Sequence, residues 1–165
     1  MFIDYPCKIR SCRFFYLFCG QKWPMRISKD DIPHGNTPEE LEKRTKIILQ
    51  FYRDWKTANP TQRVYNNELK DFINIRKVSI SETARHAAKT YLSTLAVMQL
   101  DGILACARKV RIGKPKARSS QSRFQAMIEM EHDCPGVGKV KLMVGVMLRT
   151  HIKIQYCITA IDVQE

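Results

Sequence analysis

Residues 122–160, SRFQAMIEMEHDCPGVGKVKLMVGVMLRTHIKIQYCITA, decide the fold, because here the apolar period is two rather than 3.6. Phe124, Ala126, Ile128 and Met130 alternate with Arg123, Gln125, Met127, Glu129 and Glu131, as on a strand with one buried face. Asp133, Cys134, Pro135, Gly136 and Gly138 then supply turn chemistry. Val140, Leu142, Val144, Val146 and Leu148 alternate with Lys139, Lys141, Met143, Gly145 and Met147. After a turn at 149–151, Ile152, Ile154, Tyr156 and Ile158 alternate with Lys153, Gln155, Cys157 and Thr159. The expectation is an antiparallel meander. Its even positions, Tyr156 included, pack on helices. Its odd positions form an open face carrying Arg123, Gln125, Glu129, Lys139, Lys141, Lys153, Gln155 and Thr159.

The helices lie upstream. Thr37, Pro38, Glu39 and Glu40 read as a capping box with proline at the first helical position. Leu41, Ile47, Ile48, Phe51 and Trp55 recur at helical spacing until Asn59 and Pro60. Lys43, Arg44, Lys46, Arg53 and Lys56 read as its solvated side. Residues 63–65 read as a short extended piece, and Asn66 or Asn67 as the cap of a short helix holding Leu69, Phe72 and Ile73. Ser79 and Glu82 form a second capping box, opening a helix with Ile80, Ala84, Ala87, Ala88, Tyr91, Leu95 and Met98 on one face. Asp101 and Gly102 either turn a hairpin or interrupt two helical segments; helix to about Ala107 is preferred. The fold class is therefore α+β, with N-terminal helices followed by a three- to four-stranded antiparallel sheet packed on them.

With 165 residues, 44% apolar and 27% charged, the chain has the composition of one globular domain. Residues 1–24 show no clear period. They read either as an extension ahead of a start at Met25 or as a strand or helix packed on the body, leaving 25–165 as the α+β domain. Cysteines at 7, 12, 19, 106, 134 and 157 include no CxxC pair and no histidine at finger-like spacing, so neither a metal nor another cofactor is expected. Free cysteines of this kind fit a reducing, cytoplasmic setting. No apolar run approaches the roughly 20 residues that cross a bilayer, and no membrane partner is expected.

Charge is the strongest functional signal. There are 28 Lys and Arg against 16 Asp and Glu, a net +12. Seven of the cations fall within RKVRIGKPKARSSQSR, residues 108–123, which holds no acid. A run of this kind repels itself unless a polyanion or solvent accepts it, so the expected partner is nucleic acid. Arg108, Lys109, Arg111, Lys114, Lys116 and Arg118, with Lys139 and Lys141 of the meander, are the candidates for holding backbone phosphate. The segment 113–122, rich in Lys, Arg, Pro and Ser, reads as a loop beside the sheet. No heptad and no exposed aromatic-rich patch is evident, and nucleotide and serine-hydrolase motifs are absent.

The ending GVGKVKLMVGVMLRTHIKIQYCITAID, with the preceding ETARHAAKTYLSTLAV, resembles the barnase, EndoU, colicin-type and RelE-like nucleases carried by phages and mobile elements. The resemblance covers about residues 79–162. It implies RNA as the partner and metal-independent cleavage by transfer to the neighbouring 2′-hydroxyl, which needs a base, an acid and cations around the developing phosphorane. His86 is then the candidate acid or base, a turn from Lys89 or Glu82 and able to share a face with Ser93, or His86 and Lys89 are ordinary exposed helix residues. Arg123 is the candidate phosphate clamp, or a salt-bridge partner of Glu129 or Glu131. Thr159 is grouped with them as a hydrogen-bonding residue, and His132 and His151 are weaker candidates. The alternatives are a nucleic-acid-binding accessory protein without catalysis, and a basic protein-interaction module.

Overall fold

A computed structural model describes residues 27–117 and 120–161. The readings of residues 1–24 and of Arg118 lie outside the described residues.

The first helix, α1 (Pro38–Ala58), begins as its capping box predicts: the Glu40 amide donates to Thr37 Oγ1, and the Thr37 amide to the Glu40 carboxylate. It ends at Asn59, whose side-chain amide donates to the Trp55 carbonyl. Arg44, expected on the solvated side, is instead fully buried. Its guanidinium donates to the carbonyls of Pro33 and Gly35 before the helix and of Ala88 and Lys89 far along the chain. Those four carbonyls give the buried cation acceptors where no carboxylate does.

The second expected helix is two. α2 (Lys77–Ala87) starts two residues ahead of Ser79, whose hydroxyl accepts the Arg76 amide from inside the first turn. It stops where Arg44 takes the Ala88 and Lys89 carbonyls, and Thr90 caps α3 (Tyr91–Val97) by accepting the Ser93 amide. α4 (Leu100–Cys106) contains Asp101 and Gly102, so the hairpin alternative falls, and it ends at Ala107 as expected. Trp55 Nε1 donates to Asp101 Oδ1 at 2.9 Å, locking α4 to α1.

The sheet has six strands in the order β1-β2-β6-β5-β4-β3. β1 (Arg63–Asn66) and β2 (Asp71–Asn74) form a hairpin where a short helix was expected. Asn66 does cap amides, accepting from Glu68 and Leu69, but it closes a turn, while its own amide donates to the Leu104 and Ala107 carbonyls. β3 (Arg108–Gly113) takes up the first part of the basic run. β4 (Phe124–Cys134), β5 (Gly138–Met147) and β6 (Lys153–Ala160) are the expected meander, closed between β4 and β5 by Gly136 and Gly138 at positive φ. β2 pairs with β6 in parallel, so the sheet is mixed and larger than the three or four antiparallel strands predicted.

Ile48, Phe51, Tyr52 and Trp55 of α1, with Ala84, Ala87, Val97, Leu100, Ile103 and Leu104, bury against Ile128, Met130, Val140, Leu142, Val144 and Ile158. Strict alternation then fails at two bulges. Phe124 pairs with Met147 and Ala126 with Val146, so Gln125 is an extra residue and Phe124 moves to the face away from the helices. Met143 pairs with Cys157 and Val144 with Gln155, so Tyr156 is extra in β6. Gln155, expected on the open face, is therefore buried under the helices, and Tyr156, expected in the core, leaves it. A second apolar cluster of Phe124, Met127, Ile154, Tyr156 and Cys157, with Val78, Met143 and Met147, results on the far face. Phe124 lies so close over Gly145 that a Cβ there would meet its ring at 2.6 Å.

Gln155 accepts the Tyr52 hydroxyl at 2.9 Å and donates to Thr83 Oγ1 at 2.6 Å, joining α1, α2 and β6 in the core. Gln155→Leu leaves both hydroxyls without this partner and is expected to cost about 1–3 kcal/mol in urea unfolding. Adding Tyr52→Phe removes one orphan, so the double variant is expected to lose less than the sum of the two single losses.

Candidate nucleic-acid interface

The strand registers place the face away from the helices in rows across the sheet. One row runs Arg108, Glu131, Lys141, Thr159; the next runs Arg111, Glu129, Met143, Cys157. Rows lie about 7 Å apart, two residues along a strand. At the centre, Glu129 accepts from Arg111 Nε at 2.7 Å and from Lys141 Nζ at 3.2 Å. The Arg111 contact, then that of Lys141, holds the Glu129 carboxyl below its ordinary range. Lys139 reaches Glu131 at 3.5 Å. The carboxylates are largely covered whereas Arg111 is 73% exposed, so the acids serve as anchors beneath an outward layer of cations.

Of the residues proposed from sequence, Arg108, Arg111, Lys139, Lys141 and Thr159 therefore share one face. Lys109 does not: it pairs with Met130, whose side chain is in the core, and so projects from the helix side of the edge strand. Lys114 and Lys116 are exposed on the loop that leaves β3. That loop is folded back on the sheet, since the Lys116 amide donates to Gln121 Oε1 and Ser120 Oγ shares a hydrogen bond with the Tyr156 hydroxyl at 2.7 Å. Arg123 stands apart. It precedes β4, six residues from Glu129, about 20 Å along the strand, and neither Glu129 nor Glu131 is its partner. Lys89 lies in the exposed break after α2.

His86 has Glu82 a turn away as expected, and Arg85 beside it as well. Its Nε2 lies 3.6 Å from Glu82 Oε2 and 3.3 Å from an Arg85 amino group, which itself donates to Glu82 at 2.6 Å. Burial, then Arg85 and Lys89, lowers its pKa from 6.5 against the opposing pull of Glu82. Thr83, next to Glu82 on α2, accepts from Gln155 of β6, so Glu82, Arg85 and His86 lie on the helix that packs along β6. Burial pushes the Cys157 thiol up to about 12, so it is a protonated apolar group of the floor. His132 is half-buried beside Asp133, and His151 sits in the turn before β6 with Nδ1 2.6 Å from Gln125 Nε2; neither lies near the Glu129 row.

No family model matches this chain, and no curated protein or solved structure is significantly similar to it. Among the described residues no group of three or more His, Cys, Asp or Glu is placed to hold a metal ion, and no helix is long and apolar enough to cross a membrane. Sequence reading placed Glu82 a turn from His86 but missed Arg85 beside it, and missed Glu129 as the anchor of the face. The signal for the anchor was present in Lys109-Val110-Arg111-Ile112, an alternation that makes β3 and brings Arg111 beside Glu129.

With its pKa lowered from 6.5, the His86 imidazole is mostly neutral at pH 7. Because the folded value lies below the unfolded 6.5, its contribution to stability is complete above 6.5 and is lost as the pH falls through the folded value. By NMR titration the His86 midpoint is expected below 6.5, higher in Arg85→Gln, and lower still in Glu82→Gln.

Proposed function

We propose that this protein binds nucleic acid, with RNA as the favoured partner, through the sheet face formed by β3, β4 and β5. The observation behind this reading is the concentration of Arg108, Arg111, Lys114, Lys116, Lys139 and Lys141 on and beside one face, with Glu129 and Glu131 beneath them. A phosphodiester chain carries the complementary charge at regular spacing, and contacts of this type hold it without reading sequence. The preference for RNA comes from the resemblance to the small ribonucleases.

Metal-independent cleavage is the second reading, and one observation favours it: His86 is held mostly neutral beside Arg85 and Glu82 on the helix that packs along β6. A neutral imidazole accepts the proton of a 2′-hydroxyl, and Arg85 offers charge to a phosphorane. Lys89 acts electrostatically on His86 and Arg123 lies off the Glu129 row, so binding, which needs only the cationic face, ranks ahead of cleavage.

Labelled single-stranded RNA in EDTA tests both readings. Arg108→Gln with Lys139→Gln is expected to weaken binding and to make the slope of log K against log salt shallower by about 0.7 per cation removed. Binding equal to that of the wild type, with the same slope, would reject the interface. Cleavage by the wild type that disappears in His86→Ala while binding persists would establish the second reading. Intact RNA throughout leaves a binding protein.

A further inference from the structure

The cationic face ends near β6, but the same side of the sheet continues to β1 and β2. There the alternation puts Ile73 in the core and Phe72, with its partner Tyr65, on the opposite side. Both rings are exposed, Tyr65 by 44% and Phe72 by 38%, although no exposed aromatic patch was legible in the sequence. They meet edge to face, with centroids 5.4 Å apart and planes at 76°. The Arg63 guanidinium lies 4.3 Å above the centre of the Phe72 ring. Two aromatic rings and a guanidinium on one exposed hairpin cost hydration without filling a core, so their grouping calls for a ligand that uses them.

A cleft adjoins them. It measures about 390 Å³ and lies between the hairpin and the turn that precedes β6, with Arg63, Phe72, Asn74, Thr150 and His151 among its walls. Its frame is tied. Lys153 Nζ donates to Asp71 Oδ2 at 2.7 Å, and Asn74 Nδ2 donates to the Lys153 carbonyl at 3.1 Å, holding hairpin and β6 together. His151, at φ 57°, is bonded through Nδ1 to Gln125. The cavity thus combines an aromatic wall, a cation and hydrogen-bonding side chains within the size range of small-ligand sites.

We propose that this cleft is a stacking site for a nucleobase of single-stranded nucleic acid, with the base against Phe72, whose ring Tyr65 braces edge to face, and the adjoining phosphate at Arg63. The inference rests on the nucleic-acid-binding reading and adds to it the class of strand: an unpaired one, since a base within a duplex has no free face to offer. β2 is three strand spacings from β4 and four from β3, about 14 and 19 Å across the sheet, and the registers set Phe72 about 13 Å further along it from the Glu129 row, a diagonal of about 20–25 Å. One strand crossing the sheet therefore meets the aromatic pair at one end and the Arg111 and Lys141 layer at the other. That span falls within the roughly 4–16 nucleotides that other single-strand-binding surfaces occupy. A bare polyanion would use the cations alone.

The test compares binding of a roughly 12-nucleotide oligouridylate and of heparin, which has charge but no bases, to the full chain and to Tyr65→Leu, Phe72→Leu and Arg63→Gln. Both leucine variants keep apolar bulk without a stacking face. Each is expected to weaken oligouridylate binding by about 5- to 150-fold with an unchanged salt slope, and to leave heparin binding as it was. Arg63→Gln is expected to weaken both ligands and make the slope shallower by about 0.7. Circular dichroism identifies any variant that fails to fold. If wild type and both folded leucine variants bind oligouridylate equally, the stacking site is overturned and the cationic interface stands. Equal losses for heparin and oligouridylate in the leucine variants also overturn it. If the wild type binds no oligouridylate at all, the underlying nucleic-acid reading falls with it.

Discussion

The extra residue in β6 is the constraint on which the arrangement depends. By inserting Tyr156 between positions paired to Met143 and Val144, it lets Gln155 and Ile158 both face the helices although their spacing is odd. Gln155 then ties α1 and α2 to the sheet, and Tyr156 and Cys157 are delivered to the other side. Without the offset, an amide and a phenol would exchange environments. The amide would lose two buried partners, and the far face would lose the ring on which Phe124 and the basic loop rest.

That far face is built in two zones. Near the loop end it is apolar, a thin layer of Met127, Ile154, Tyr156 and Cys157 roofed by Phe124. Near the β4–β5 turn it is ionic, with Glu129 and Glu131 holding the bases of longer cationic side chains. Pairing a carboxylate with two cations reduces their mutual repulsion while leaving a surplus of positive charge, so the sheet tolerates a density of Lys and Arg that an unanchored layer would not. The anchors also narrow the directions in which the cations point, which lowers the entropy lost when they meet a ligand.

Much of this was legible in the residues, and what was not has identifiable causes. The cap of α1, its end at Asn59 and the three meander strands follow from local chemistry, and each stands where that chemistry puts it. The bulges were invisible because period-two counting assumes one residue per pleat, and the faces of Phe124, Lys153, Ile154, Gln155 and Tyr156 were misread for that single reason. Asn66 was recognised as a residue that caps amides, yet the choice between helix and hairpin was made by Ile73 reaching the core and by α4 accepting the Asn66 amide, both long-range events. Arg44 was read as surface because its acceptors, carbonyls at positions 33, 35, 88 and 89, exist only after the chain has folded. The cationic face was legible as composition. Its division between the Glu129 and Glu82 groups required the registers.

β3 closes one side of the sheet, and all six of its residues are exposed, Val110 by 52% and Ile112 by 60%. Such a border is a template on which another chain of the same kind can extend the ladder. Here Arg108, Lys109 and Arg111, with a bulge at Val110, make two identical borders repel and misfit. The protection is conditional on charge. A polyanion that neutralises these side chains lifts the repulsion and leaves the aliphatic residues uncovered, so solubility and crowding tolerance become properties of the ligand load rather than of the polypeptide alone.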